Sequence, residues 1–117
     1  MEKKFKGTIV EESLEDNRIL NGLEVIGVHI SSDDDPTERW HLYTVKISRE
    51  EIEKVSKYIK AGRWYMHFWD EDKNIVAVFK DKIFEFKFGD KSTWTEALQY
   101  GRSLEIPEEQ LDFLIEE

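Results

Sequence analysis

Cysteine is absent from the 117 residues, which removes disulfides, thiolate metal ligands and a cysteine nucleophile together. With only two prolines and six glycines, the chain has no Pro/Gly-rich linker. It therefore reads as a single domain over residues 1–117. No apolar run approaches the ~20 residues of a membrane span, and the Met-Glu-Lys-Lys opening lacks a signal peptide's apolar core. These absences point by default to a cytoplasmic protein of a prokaryote with no membrane partner. Positive charge is also short. Seventeen Lys and Arg stand against 26 Asp and Glu, and the resulting net charge of −9 repels phosphate backbones, so nucleic acid is excluded as a partner.

Catalytic signatures are missing as well. Gly62, Gly89 and Gly101 stand alone, so there is no phosphate-cradling loop, and no serine occupies a G-x-S-x-G elbow. His29, His41 and His67 form no helical histidine pair. Asp33, Asp34 and Asp35 run straight into Pro36 without the alternating ligands, central glycine or closing Glu of a calcium loop. No metal or cofactor is expected. A binding protein is favoured over an enzyme.

What the chain does contain is a heavily charged exterior and a substantial core. Charged residues make up 37% and hydrophobic residues 39%, and 13% aromatics are too many for a disordered chain. Strands are expected at residues 5–10, 23–30, 40–47, 63–69, 75–79 and 83–88, from β-branched and aromatic runs broken by turn residues. The fourth to sixth of these are short, and residues 75–79 are apolar on both faces, the mark of an interior strand. Ser48 and Glu51 form a capping box that opens a helix over about 49–61, with Gly62 as its terminator. Thr93 and Glu96 repeat the pattern for a second helix, and Pro107 suits the start of a short third one carrying Leu111, Phe113, Leu114 and Ile115. The order βββαβββαα predicts an α+β domain: a mostly antiparallel sheet of five or six strands with helices packed on one face.

The aromatic residues carry the functional expectation. If Trp64, Met66 and Phe68 point to the core, alternation turns Tyr65, His67 and Trp69 to the opposite face. His29 joins them there, with Trp40 or its neighbour His41. Glu12 comes from the acidic segment 11–16 at the edge of that face. The expected binding residues are thus Glu12, His29, Trp40, Tyr65, His67 and Trp69, since amphipathic rings favour interfaces. A protein or a small neutral or cationic molecule would bind there, and a second copy of the chain is the third candidate partner. The plainer alternative is a second small core, with loops and the C-terminal segment burying these rings. The enzymatic alternative is a hydrolase or isomerase in which His67 and Glu11 or Glu12 form an acid–base pair.

Two segments carry a likeness. The opening Lys6-Gly7-Thr8-Ile9-Val10-Glu11-Glu12-Ser13-Leu14-Glu15-Asp16 and the close Tyr100-Gly101-Arg102-Ser103-Leu104-Glu105-Ile106-Pro107-Glu108-Glu109-Gln110-Leu111-Asp112-Phe113 resemble a family of small uncharacterised prokaryotic proteins. The resemblance implies a complete, free-standing protein with a variable hairpin around residues 31–39. It assigns no activity, so no catalytic residue follows from it.

Overall fold

The computed structural model describes residues 3–113, apart from the Glu108 side chain. Six strands form one antiparallel sheet: β1 (Phe5–Val10), β2 (Glu24–Ile30), β3 (His41–Ile47), β4 (Met66–Trp69), β5 (Asn74–Phe79) and β6 (Lys82–Lys87). Their spatial order is β2-β3-β1-β4-β5-β6. Helix α1 (Arg49–Tyr58) links β3 to β4, and α2 (Thr95–Ser103) follows β6. The α+β class and the six-stranded antiparallel sheet are as the sequence predicts.

The helices differ from expectation in their placement: they take opposite faces of the sheet. The cause lies in β5, whose Ile75, Val76, Ala77, Val78 and Phe79 are all buried. Successive side chains of a strand point to opposite faces, so this strand needs cover on both. Val76 and Val78 join Ile9, Val45, Ile47 and Phe68 under α1. Ile75, Ala77 and Phe79 join Phe86, Trp94, Ala97, Leu111 and Phe113 under α2 and the C-terminal segment.

Helix α1 begins as its sequence dictates. The Ser48 hydroxyl accepts from the Glu51 N–H at 3.2 Å, and the Glu51 carboxylate accepts from the Ser48 N–H at 3.1 Å. Ile52 and Val55 are fully buried, each contributing about 1.5–3 kcal/mol of apolar transfer. The helix stops at Tyr58, short of the expected 61. Ile59 leaves it to bridge Leu14, while Lys60 N–H donates to the Ser13 carbonyl at 2.7 Å.

The second capping box does not form. Asp90 accepts from the Ser92 N–H at 3.1 Å and opens a 3₁₀ turn over Lys91–Trp94 instead. The Thr93 hydroxyl accepts from the Lys87 N–H and donates to the Asp90 carbonyl, closing the end of β6. Trp94 is thereby buried, with its Nε1 donating to the Lys87 carbonyl at 2.7 Å. After Pro107 the chain makes only a three-residue 3₁₀ turn, Glu108–Gln110, before burying Leu111 and Phe113. Leu114 and Ile115 lie outside the described residues.

Two glycines are fixed by close approach. A Cβ on Gly7 would sit 2.5 Å from Phe68 Cδ1 and 2.6 Å from the His67 carbonyl, the neighbouring strand itself. On Gly101 it would meet only the flexible end of Leu111, at 2.8 and 2.9 Å. Gly7→Ala should therefore destabilise by about 1–3 kcal/mol, as overpacking against backbone does. Gly101→Ala should stay within about 1 kcal/mol of the parent, because gained helix propensity offsets the crowding. Urea midpoints of the two variants check this, and equal losses would contradict it.

Candidate functional site

The α2 face of the sheet is built from three cross-strand rows. Register sets Glu24 opposite Lys46, Lys46 opposite Lys6, and Lys6 opposite Trp69. A second row runs Gly27, Thr44 and Thr8, and continuing the β1–β4 register brings Thr8 beside His67. The third runs His29, Leu42 and Val10, and reaches the level of Tyr65. Beyond β4 these rows enter the core under α2. Before β4 they do not: the buried cluster on this face takes no residue from β1, β2 or β3.

The boundary between covered and uncovered halves is a cavity of about 320 Å³, lined by Thr8, Val10, Tyr65, Met66, His67, Trp69 and Gln110. Its wall is aromatic. His67 and Trp69 lie 5.6 Å apart, and Phe113 meets both Tyr65 and His67 edge-on at 5.7 Å. Tyr65 stacks on Phe79 at 5.6 Å and donates its hydroxyl to the Gln110 carbonyl. Burial, with Asp112 nearby, pushes the Tyr65 phenol up to about 12. The wall thus offers ring faces and an un-ionised Tyr65 phenol, while Thr8 and Val10 give the floor a hydroxyl and methyl groups.

On the opposite face, at the end of β1, the acidic segment turns into a 3₁₀ turn, Glu11–Ser13. Here Glu12 accepts from the His41 backbone N–H at 2.8 Å and from its ring Nδ1 at 2.7 Å. Glu11 accepts from the Tyr43 hydroxyl at 2.7 Å and from Asn17 at 3.2 Å. The ligating atoms of Glu11, Glu12 and His41 lie within 4.8 Å of one another, a donor set suited to a metal centre. All four carboxylate oxygens are already engaged, so in this arrangement the cluster is a latch joining the end of β1 to the start of β3. The bond to Glu12 raises the His41 imidazole above its ordinary value, against a smaller desolvation effect. Partial burial works to raise Glu12, but its bonds from His41 outweigh this and hold it low. The bond to Glu11, with burial, lifts the Tyr43 phenol.

Of the six expected residues, the structure brings together Tyr65, His67 and Trp69. His29 shares their face but stands on the edge strand, three strand spacings or roughly 14 Å from β4. Trp40 packs on Trp64 at 5.7 Å, and Trp64 belongs to the α1 side. The acid–base pair between His67 and Glu11 or Glu12 is not formed, because alternation puts His67 on the α2 face while both carboxylates reach His41 and Tyr43 on the other. The three histidines do not converge: His41 lies on the α1 face, and His29 shares the face of His67 but stands three strands away. Thr8, Val10 and Gln110 went unnoticed in the sequence, although Ile9 as a core residue already turned Thr8 and Val10 outward.

Comparison with known protein families, curated proteins and solved structures finds no match to this chain. Among the described residues no helix is long and apolar enough to cross a membrane.

The latch has a defined pH window. His41, raised, contributes fully below its ordinary 6.5 and loses that contribution as pH climbs through its folded value. Glu12, lowered, contributes above 4.5 and loses it as pH falls through its folded value. The stability difference between the parent and Glu12→Gln should peak between those limits and shrink at alkaline pH. The His41 NMR titration should move towards its ordinary value in the variant, and an unmoved titration would contradict the pairing.

Proposed function

We propose that the chain is a non-catalytic binding module that seats a flat, partly apolar ligand on the uncovered half of its α2 face. The observation that carries this reading is the cavity, where Tyr65, His67 and Trp69 stand beside a Thr8–Val10 floor. Its volume, about 320 Å³, falls at the small end of ligand pockets, and rings with few hydrogen-bonding groups match its lining. Ring faces and methyl groups make up most of that lining, which favours recognition over catalysis.

Local charge refines the ligand class. Lys6 and Lys46 face each other across β1 and β3, an unfavourable like-charge pair, and neither makes an ion pair among the described residues. Trp69 is the next residue in that row. A ring against Trp69 with a carboxylate towards the lysines would relieve the repulsion. This reverses the preference for cations that the chain-wide −9 suggests, because nearby charges outweigh distant screened ones.

Thermal shift and tryptophan fluorescence with an indole carboxylate, its amide and the matching amine test this reading. The carboxylate should raise Tm by about 4 °C or more near saturation, ahead of the amide and amine. Trp69→Ala should abolish the shift. Exchanging both lysines for Gln, at surface positions that leave the wall intact, should remove the preference for the acid. No shift from any of the three would overturn the seat, and equal shifts would overturn the role of the lysines.

A further inference from the structure

We infer that β2 is a docking edge that accepts an added strand from a protein partner whose apolar segment is flanked by basic residues. β2 is the first strand in the order and hydrogen-bonds to β3 alone among the described strands, leaving one row of backbone groups for a partner. All seven of its residues are exposed. Val25 is 37%, Ile26 46%, Val28 59% and Ile30 45% accessible. Unguarded apolar edges invite strand pairing, and stable proteins blunt them with lysines, prolines or covering loops.

The other edge shows that guarding. β6 carries Lys82, Glu85 and Lys87, and its end is closed by the bond from Lys87 N–H to the Thr93 hydroxyl. β2 has no Lys or Pro, and Glu24 is its one charged residue. A β-bulge between Val25 and Gly27 interrupts the register but leaves Gly27 to Ile30 paired regularly with β3. Residues 27–30 thus form a short regular template beside an unpaired row.

Charge selects the occupant. Glu24 sits at one end of β2, and Asp33, Asp34, Asp35 and Glu38 follow its other end. None of the five forms an ion pair among the described residues. Arg39 offsets only one of these charges, its guanidinium donating to the carbonyls of Asp33 at 2.7 Å and Asp34 at 3.2 Å, so the loop stays net acidic. A second copy adding antiparallel would bring its Glu24 to the aspartates of the first, and a parallel copy would set the aspartates side by side. Both arrangements repel. An apolar strand with Lys or Arg at each end meets carboxylates at both, in the β-augmentation mode of recognition.

The edge lies three strands from the cavity wall on β4, so its test is separable from that of the ligand seat. The probe is a short Val/Ile/Thr peptide with two lysines at each end, compared by fluorescence anisotropy with the same peptide flanked by glutamates. The lysine-flanked peptide should bind, the glutamate-flanked one about tenfold or more weakly, and added salt should narrow the gap. Val28→Lys and the combined D33N/D34N/D35N variant should each weaken binding, whereas Trp69→Ala should leave it unchanged. Every substituted position of the first two is exposed, and circular dichroism verifies their folding. Absence of binding, or equal binding of both peptides, would overturn the proposal. So would a dimer in light scattering that Val28→Lys dissociates, since a second copy would then occupy the edge.

Discussion

The constraint on which the molecule depends is that β5 is apolar on both sides. A strand with Ile75, Ala77 and Phe79 on one face and Val76 and Val78 on the other leaves neither face to water. One helix cannot serve both. The chain meets the demand from two directions in sequence, with α1 arriving before β4 and α2 with the C-terminal segment arriving after β6. On the α1 side the cover extends as far as β3, with Leu14 and Leu20 from the loop after β1 adding to it. On the α2 side it ends at β4. The uncovered half-face is a direct consequence: among the described residues the C-terminal segment caps β4 to β6, and the other three strands present Lys6, Thr8, Val10, Leu42, Thr44, Lys46, Glu24, Gly27 and His29 on that face.

Much of this was legible in the amino acids, and what was not has identifiable causes. The Ser48–Glu51 box could be read because both partners of the reciprocal bond are local and nothing competes for them. The same pattern at Thr93 and Glu96 misled, because the Thr93 hydroxyl is taken by the end of β6, a non-local partner. The end of α1 was set by the Leu14–Ile59 bridge, again a contact across the fold. Alternation correctly grouped Tyr65, His67 and Trp69, since parity within one strand is a local property. It could not say that Trp40 stands outside β3 and folds onto Trp64, nor that Glu12 finds His41. Pairing between strands depends on order, and the order β2-β3-β1-β4-β5-β6 interleaves segments far apart in sequence.

The net charge of −9 conceals an uneven distribution. Glu11, Glu12, Glu15 and Asp16 each have a specific partner, in Tyr43, His41, Lys80 and Arg18. Those carboxylates are structural. Around β2 and its following loop, Glu24, Asp33, Asp34, Asp35 and Glu38 form no ion pair among the described residues, while the open half of the α2 face carries Lys6 and Lys46. A chain-wide charge of this sign repels nucleic acid and anionic surfaces, because these sample the whole field. It says little about a small ligand, which samples only its own few ångströms.

Both candidate surfaces follow from the same asymmetry of cover. Among the described residues the C-terminal segment reaches no further than β4, so the outer half of that face and the β2 edge stay uncovered together. As it stands, β1 and β3 have one face packed on α1 and one face open, and β2 beyond them is exposed on both faces, with an edge that lacks the lysines guarding β6. A strand in that position has little of its own core to lose. Its seven residues are all exposed, so substitutions such as Val28→Lys cost the fold little burial, yet the strand keeps four large apolar side chains. Folding alone does not require apolar residues there, because polar β-formers such as Thr would serve an exposed edge equally well. Burial accounts for the apolar residues on β5, whereas those on β2 gain little of it from the fold, and the proposed strand addition would supply it.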